Sequence, residues 1–215
     1  MLPRLLRNRL AEVILDALHD PEARRGLQTL AAIGADSKAL ARIVDLPERA
    51  LPDCFEERDG GLQLKNGWQE CAVDLRERAG RAWRAIDNRP LDPRDAPLGV
   101  ALAAAATLFD AGLYFEVHEF LEPYWARATG SDREALQGLI QVAVGFEHLA
   151  NGNASGARAL LEEGCVKTQG RQLQRIDLGS VARDVRACLE GIPASTAGTA
   201  PTFHWPRVPR FPTRS

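Results

Sequence analysis

His118 and Glu122, two residues at helical spacing, carry the clearest chemical signal in the sequence. At about 100° per residue they share one face of a helix expected over 113–128, together with Tyr114 and Trp125. Ionisable side chains are seldom buried in an aromatic and aliphatic stripe without a partner. Imidazole and carboxylate groups together bind Zn, Fe, Mn or Ni, with water in the open positions. The spacing therefore indicates a divalent-metal site.

The next helix, expected over 131–150, carries a polar seam within an apolar surface. Gln137, Gln141 and His148 fall on one side of it, at positions i, i+4 and i+11. Glu147 and His148 are the titratable residues of its apolar part, which begins at 135. If this helix packs antiparallel to the preceding one, its seam faces the imidazole and carboxylate described above.

The two helices are therefore predicted to build one internal site. We expect His118, Glu122 and His148 to bind the metal, and Glu122 or Glu147 to ligate it or to take a proton from a bound water. That chemistry would make the protein a metal-dependent hydrolase. The predicted lining residues are Tyr114, Glu119, Trp125, Gln137 and Gln141. Of these, Trp125 is expected to pack over His118.

A metal-free interpretation of the same residues stays open. A hydrogen bond from His118 to Glu122, completed by Gln141 and His148, would satisfy these buried polar groups without an ion. Acid–base chemistry without a metal is a third alternative. The segment from His118 to Glu122 differs from the zincin pattern His-Glu-x-x-His at its fifth position, so a zincin is not predicted.

Local signals define the ends of these helices. Ser131 and Glu134 have the form of a capping box, and the Asn151-Gly-Asn153 segment supplies a helix stop followed by an N-cap. The helices on either side of that segment should form an antiparallel hairpin. Pro123 predicts a kink or a helix restart. Helical periodicity turns three charged side chains toward water: Glu116, Glu119 and Arg127.

Proline and glycine mark the domain boundaries. A Pro-rich connector covers 88–97, and the segment from Gly191 onward has five prolines in 25 residues and no helical period. We predict a mainly α protein, with an antiparallel helical bundle after an N-terminal helical domain. The bundle helices are expected over 98–111, 113–128, 131–150, 153–169 and 180–190. The predicted parts are domain 1–67, a connecting helix and linker over 68–96, the bundle over 97–190, and a Pro/Arg-rich tail over 191–215.

The N-terminal part resembles a winged helix in the order of its elements. Helices are expected over 5–18, from Pro21 to 33, over a short stretch ending at 44, and from Pro47 to about Phe55. A turn and a short strand follow at Asp59-Gly-Gly. The segment that would enter a DNA groove is acidic, so nucleic acid is not favoured as a partner. Packing or homodimerisation is favoured instead, and a non-enzymatic interaction or transcription-regulatory protein is the alternative function.

Charge and hydropathy exclude further classes of protein. With 27 Lys and Arg against 29 Asp and Glu, the net charge of −2 does not fit a dedicated polyanion binder. Residues 97–190 hold 8 basic and 12 acidic residues, whereas the tail carries three arginines and no acid. The longest apolar run covers 12 residues, too few for a membrane span of roughly 20, so a cytoplasmic protein is expected. Four cysteines without a C-x-x-C pair indicate free thiols.

Several stretches together resemble one family of prokaryotic proteins, the domain of unknown function DUF309. They are LFDAGLYFEVHEFLEPYW at 108–125, GSDR at 130–133, LQGLIQ at 136–141, His148, and GNASGA at 152–157. That family has a His-x-x-x-Glu-x-x-Trp/Tyr motif associated with metal binding, which matches His118, Glu122 and Trp125 here. The resemblance covers about 98–165 and implies a small all-helical bundle with no established reaction.

Overall fold

Hydrophobic periodicity predicts a mainly helical protein, and the computed structural model confirms it. The structure describes residues 2–32, 55–58, 61–65, 67–192 and 208–212. Within them, eight α-helices and two short β-hairpins form two compact units, residues 1–95 and 96–215. None of the described helices is both long and apolar enough to cross a membrane.

The first unit packs three helices. Its elements are α1 (Arg4–Asp16), α2 (Pro21–Ala32), β1 (Phe55–Arg58), β2 (Gly61–Leu64), a 3₁₀ turn (Gln69–Cys71) and α3 (Ala72–Ile86). The α3 helix, predicted as a connection, packs on α2 and α1. Their apolar faces supply a core that includes Leu10, Ile14, Leu27 and Leu75.

The short strand predicted near Asp59-Gly-Gly is present as part of a β-hairpin, which begins where the sequence analysis placed the end of a helix. β1 pairs antiparallel with β2, and Phe55 lies opposite Leu64. Phe55 therefore opens a strand, whereas the sequence predicted the end of a helix there. The two short helices expected before this strand lie in 33–54, outside the described residues. The likeness to a winged helix stays a prediction.

The start of the Pro-rich connector is fixed to the turn between α1 and α2. Arg24 donates from Nε to the carbonyl oxygen of Ala17 at 2.9 Å and from Nη1 to that of Arg89 at 2.5 Å. The Asp92 amide donates to the carbonyl oxygen of Leu18 at 2.9 Å. Burial lowers the pKa of the Arg24 guanidinium. The arginine thus joins two segments that are distant in sequence.

The second unit contains the predicted bundle, and each predicted helix is present within two residues at either end. The α6–α7 pair lies beside α5, and α8 packs on α7. The small side of α6 fits closely against α7: Gly138 lies against Thr168, whereas Gly145 lies against Leu161. Because contacts move down α7 as they move up α6, the two helices are antiparallel, as predicted. The elements are α4 (Leu98–Asp110), α5 (Tyr114–Arg127), α6 (Gly130–Ala150), α7 (Ala154–Thr168), β3 (Gln172–Leu173), β4 (Ile176–Asp177) and α8 (Gly179–Leu189).

Of the two helix starts predicted for the α6–α7 hairpin, one is confirmed and one is not. Asn153 is the N-cap of α7, as predicted, and its Oδ1 accepts the Gly156 amide at 3.0 Å. The expected capping box at Ser131 is wrong, because α6 begins one residue earlier, after Thr129, without a side-chain cap. Glu134 consequently does not return to the N-cap and forms an ion pair with Arg171.

A short segment of the tail also packs on the second unit. The Phe211 ring is buried, with its centroid 5.5 Å from that of Phe109 on α4. Phe211 is therefore the side chain that anchors this segment of the tail. Residues 193–207, which include Phe203 and Trp205, lie outside the described part of the chain.

Candidate metal centre

The α5 helix carries the His-x-x-x-Glu pattern and runs without a break from Tyr114 to Arg127. Pro123 lies inside this helix, so the helix restart considered from the sequence does not occur. Glu122 and His118, which precede Pro123, therefore keep their helical spacing. His118 and Glu122 stand one turn apart and on one side, as predicted.

His118 lies between two carboxylates. Its Nδ1 is 3.2 Å from Glu119 Oε1, and its Nε2 is 3.8 Å from Glu122 Oε2. One ligand atom from each of the three side chains lies within 4.8 Å of the other two. Among the described residues, this His118/Glu119/Glu122 group is a cluster of titratable side chains close enough to hold a metal ion.

The environment of the group differs from the internal site predicted by periodicity. The His118 side chain is 28% exposed, Glu119 40% and Glu122 54%. Water therefore reaches all three groups, and the cost of holding their charges is small compared with that in a buried site. Glu119 was expected both to point to water and to line the site; it is partly exposed and pairs with the imidazole.

His148, the third predicted ligand, is not part of this group. Its Nδ1 lies 2.7 Å from Nδ2 of Asn153, at the turn between α6 and α7. Since Asn153 also caps α7, this imidazole is drawn to the hairpin turn and not to α5.

Gln141 and Glu147, two further polar residues of α6, have partners on α7 and in the turn after α6. Gln141 donates from Nε2 to Glu163 Oε2 at 2.5 Å. Glu147, predicted to be catalytic, is buried near the C-terminal end of α6 and accepts a 3.3 Å bond from Asn151 Nδ2. Gln137 is half-buried on α6, and it does not belong to the group on α5. Gln141 and His148 of the seam therefore connect α6 to α7 and to its N-cap.

Tyr114 and Glu116 of α5 both belong to the core, the second of them against expectation. Tyr114 is buried, and its ring packs against Phe109 at 5.0 Å and Phe146 at 5.6 Å between centroids. Glu116, expected in water, is fully buried at 0% exposure. It lies in the first turn of α5, where unpaired amides and the helix dipole favour a carboxylate, a capping preference that periodicity does not detect. Arg127 is exposed as predicted.

Trp125 has a different neighbour from the one predicted. The Arg133 guanidinium stacks over its indole, with the carbon of the guanidinium 4.0 Å from the ring centroid. The ring beside His118 is that of Phe115, at 6.2 Å between centroids. Arg133 also donates from Nη1 to the carbonyl oxygen of Trp125 at 3.0 Å. Trp125 thus holds the end of α5 and does not cover the imidazole.

Sequence reasoning missed Arg133 as a partner of the motif. It lies eight residues after Trp125 and on the next helix, so helical spacing gives no signal for the contact. Its position in the first turn of α6, unfavourable for a cation beside a helix N-terminus, was the available indication of a specific role.

Comparison with known families supports the resemblance found in the sequence. Residues 102–160 match the family model described as domain of unknown function (DUF309), which confirms the predicted family for this part of the chain. The match runs from α4 into α7 and includes His118, Glu122 and Trp125. Comparison with curated proteins and with solved structures gives no match.

Proposed function

We propose that the second unit binds a divalent transition-metal ion on α5, through His118 and Glu122. The observation that carries the proposal is the convergence of an imidazole and two carboxylates, with one atom of each within 4.8 Å. Imidazole and carboxylate are ligands of Zn, Fe, Mn and Ni. The DUF309 match gives this segment a family but no reaction, so the chemistry has to be inferred from the side chains.

The three residues take different roles in this proposal. Glu119 accepts the Nδ1 proton of His118, which fixes the tautomer and leaves the Nε2 lone pair directed to the side of Glu122. His118 Nε2 and Glu122 are then the two protein ligands, and Glu119 replaces His148 as the third residue of the site. Since the group is partly exposed, water supplies the remaining ligands.

Hydrolysis is the reaction class that such a site supports best. A divalent ion held there would supply a bound water of lowered pKa. Glu122 is 54% exposed, so its carboxylate can bind the ion through one oxygen while the other oxygen, open to solvent, accepts a proton. A metal-dependent hydrolase is therefore the finer part of the proposal.

Metal binding is tested by titrating Zn²⁺, Ni²⁺ and Mn²⁺ into full-length protein without an affinity tag, followed by calorimetry. We expect one ion per chain, abolished by His118→Ala and weakened at least tenfold by Glu119→Gln, because loss of a carboxylate that orients a ligand costs about 10–100-fold in affinity. His148→Ala is the matched control and should bind as the wild type does. Equal binding by the His118 and His148 variants, or no stoichiometric ion in the wild type, would refute the site.

A metal-free role is the second candidate, and one distance favours it. The 3.2 Å contact between Glu119 and His118 Nδ1 already gives one ring nitrogen a carboxylate neighbour without an ion. The group would then stabilise α5 in a non-enzymatic interaction protein. In that case His118→Ala lowers the melting temperature and leaves metal content unchanged. Under the hydrolase proposal, added metal must instead promote release of p-nitrophenol from p-nitrophenyl esters or phosphates, and Glu122→Gln must abolish that dependence.

A further inference from the structure

The C-terminal segment is held on the second unit by three kinds of contact at the end of α4. The Phe211 ring is 5% exposed and packs against Phe109. The Phe211 amide donates to Asp110 Oδ1 at 3.0 Å, and Arg210 Nη1 lies 3.7 Å from Asp110 Oδ2. One carboxylate thus receives both the backbone and the preceding cation of this segment.

The ring of Phe211 completes an existing aromatic cluster. Phe109 contacts Tyr114 edge-on at 5.0 Å and Phe146 at 5.8 Å between centroids, so three rings from α4, α5 and α6 stand behind the one from the tail. Aromatic rings arranged in this way gain more than the burial of their area. Since the receiving rings are anchored on helices, the position that Phe211 fills is shaped by the bundle and not by the tail.

Asp110 is a second, independent indication of a built site. It is the last residue of α4, where the helix dipole disfavours a negative charge. Helix stability therefore does not explain a carboxylate at this position. Binding of an incoming amide and a cation does explain it, because both donors are found on its two oxygens.

The contacts continue past the aromatic residue. Pro212 forms one wall of a cleft of about 450 Å³, whose other walls include Val100 of α4 and Ile176 of β4. The segment therefore lies along the bundle with its ring inserted, its preceding arginine outside and its following proline at the cleft. This is the pattern of a short linear peptide on a recognition surface.

We propose that the end of α4 is a peptide-recognition site for an Arg-Phe-Pro sequence, with residues 210–212 of this chain as its resident ligand. The Phe109 cluster recognises the aromatic ring, and Asp110 recognises the amide and the arginine. Arg210 is 91% exposed, so its ion pair is screened by salt and contributes less to affinity than the buried ring does. The proposal is independent of the metal site.

The test supplies the segment in trans. A fluorescein-labelled peptide of residues 208–215 is titrated into full-length Phe211→Ala protein, in which the ring position is vacated, and anisotropy is measured. We expect saturable one-to-one binding, at least tenfold weaker to the wild type, whose own segment competes. A peptide with alanine in place of its phenylalanine should bind at least tenfold more weakly.

Two further variants distinguish specific recognition from non-specific binding of the peptide. Adding Asp110→Asn to the acceptor should weaken binding severalfold, whereas Asp184→Asn, an exposed carboxylate on α8, should leave it unchanged. Equal binding of the two peptides, equal binding to wild type and acceptor, or no saturable binding to a folded acceptor would each overturn the proposal.

A second acceptor keeps the test decisive if Phe211→Ala does not fold by circular dichroism. Arg210→Glu retains the ring but sets a negative charge against Asp110; at low ionic strength, where this repulsion is least screened, the resident segment is weakened and the peptide should bind more tightly than to the wild type. Binding to this acceptor no tighter than to the wild type would count against the site.

Discussion

Gly145→Ala sets two opposing effects against each other at the α6–α7 contact. In a helix interior, alanine is favoured over glycine by about 1 kcal/mol. A Cβ at position 145, however, would lie 2.7 Å from Leu161 Cγ and 3.3 Å from the carbonyl oxygen of Ala157. Leu161 is fully buried, so it has little room to move. Overpacking of a well-packed core costs about 1–3 kcal/mol.

The packing term should win at this position. The 2.7 Å distance to Leu161 Cγ is below any ordinary Cβ contact, and the Ala157 carbonyl oxygen is a backbone atom, which cannot turn aside as a side chain can. We therefore place the cost near the upper part of its range and expect a net loss of about 1–2 kcal/mol in the free energy of unfolding. A change of that size lowers the melting temperature of a domain by a few degrees.

Gly80→Ala is the matched control, because the same atoms are added where space allows them. A Cβ there would meet the end of the flexible Arg84 side chain at 3.4 Å, an ordinary contact. This variant of α3 should gain up to about 1 kcal/mol. The two substitutions are thus expected to change stability in opposite directions.

Amide hydrogen exchange, followed by mass spectrometry, reports local stability separately in the unit that contains each substitution. Peptides from α6 and α7 should exchange faster in Gly145→Ala, and peptides from α3 should exchange more slowly in Gly80→Ala. An unchanged or slower rate in α6 would refute the reasoning, because it would mean that the hairpin opens to accept a methyl group at no cost.

Three further predictions follow from single contacts. Asn153→Ala should cost about 1 kcal/mol by removing the α7 cap, whereas Asn153→Asp keeps the cap acceptor and should cost less in thermal unfolding. Hydrogen bonds from the backbone amides of Ala23 and Glu22 in α2 hold the pKa of Asp20 below its usual value. The wild type should therefore melt at a higher temperature than Asp20→Asn near neutral pH, and this difference should vanish as the pH falls through that lowered pKa. Burial raises the pKa of the Cys165 thiol, so iodoacetamide should alkylate the half-buried Cys71 first in folded protein; an equal rate for both would contradict this.

The helices of the bundle could be predicted because their signals are local. Apolar periodicity, the Gly152 stop and the Asn153 cap act within one or two turns, and the helix ends follow them closely. The β3–β4 hairpin could not be predicted in this way. Its turn residues, Gln174 and Arg175, have φ of 50° and 68°, a conformation usually signalled by Asn-Gly. Surrounding structure, and not residue preference, sets that turn.

The candidate site was predicted in part. Spacing along one helix correctly placed His118 beside Glu122, because that relation depends only on helical geometry. The expected partner from α6 does not join this group, because helical phase gives the side on which His148 lies but not its rotamer or its height along the neighbouring helix. The nearby amide of Asn153 takes that imidazole instead. Glu119 was underestimated because adjacent helical residues ordinarily face apart.

The contacts of Arg133 couple the end of α5 to the start of α6, so that the two should unfold cooperatively. Its Nη1 donates to carbonyl oxygens of Trp125, Ala126 and Ala128 at 3.0, 3.3 and 3.5 Å, and its guanidinium stacks on the Trp125 indole. Helix ends ordinarily fray, since the last four carbonyl groups of a helix have no hydrogen-bond partner within it. Here the last turn of α5 cannot unwind without releasing a side chain of the first turn of α6. Fraying of α5 is therefore coupled to loosening of α6. Arg133, a residue of α6, thus stabilises the C-terminal part of α5, which bears Glu122.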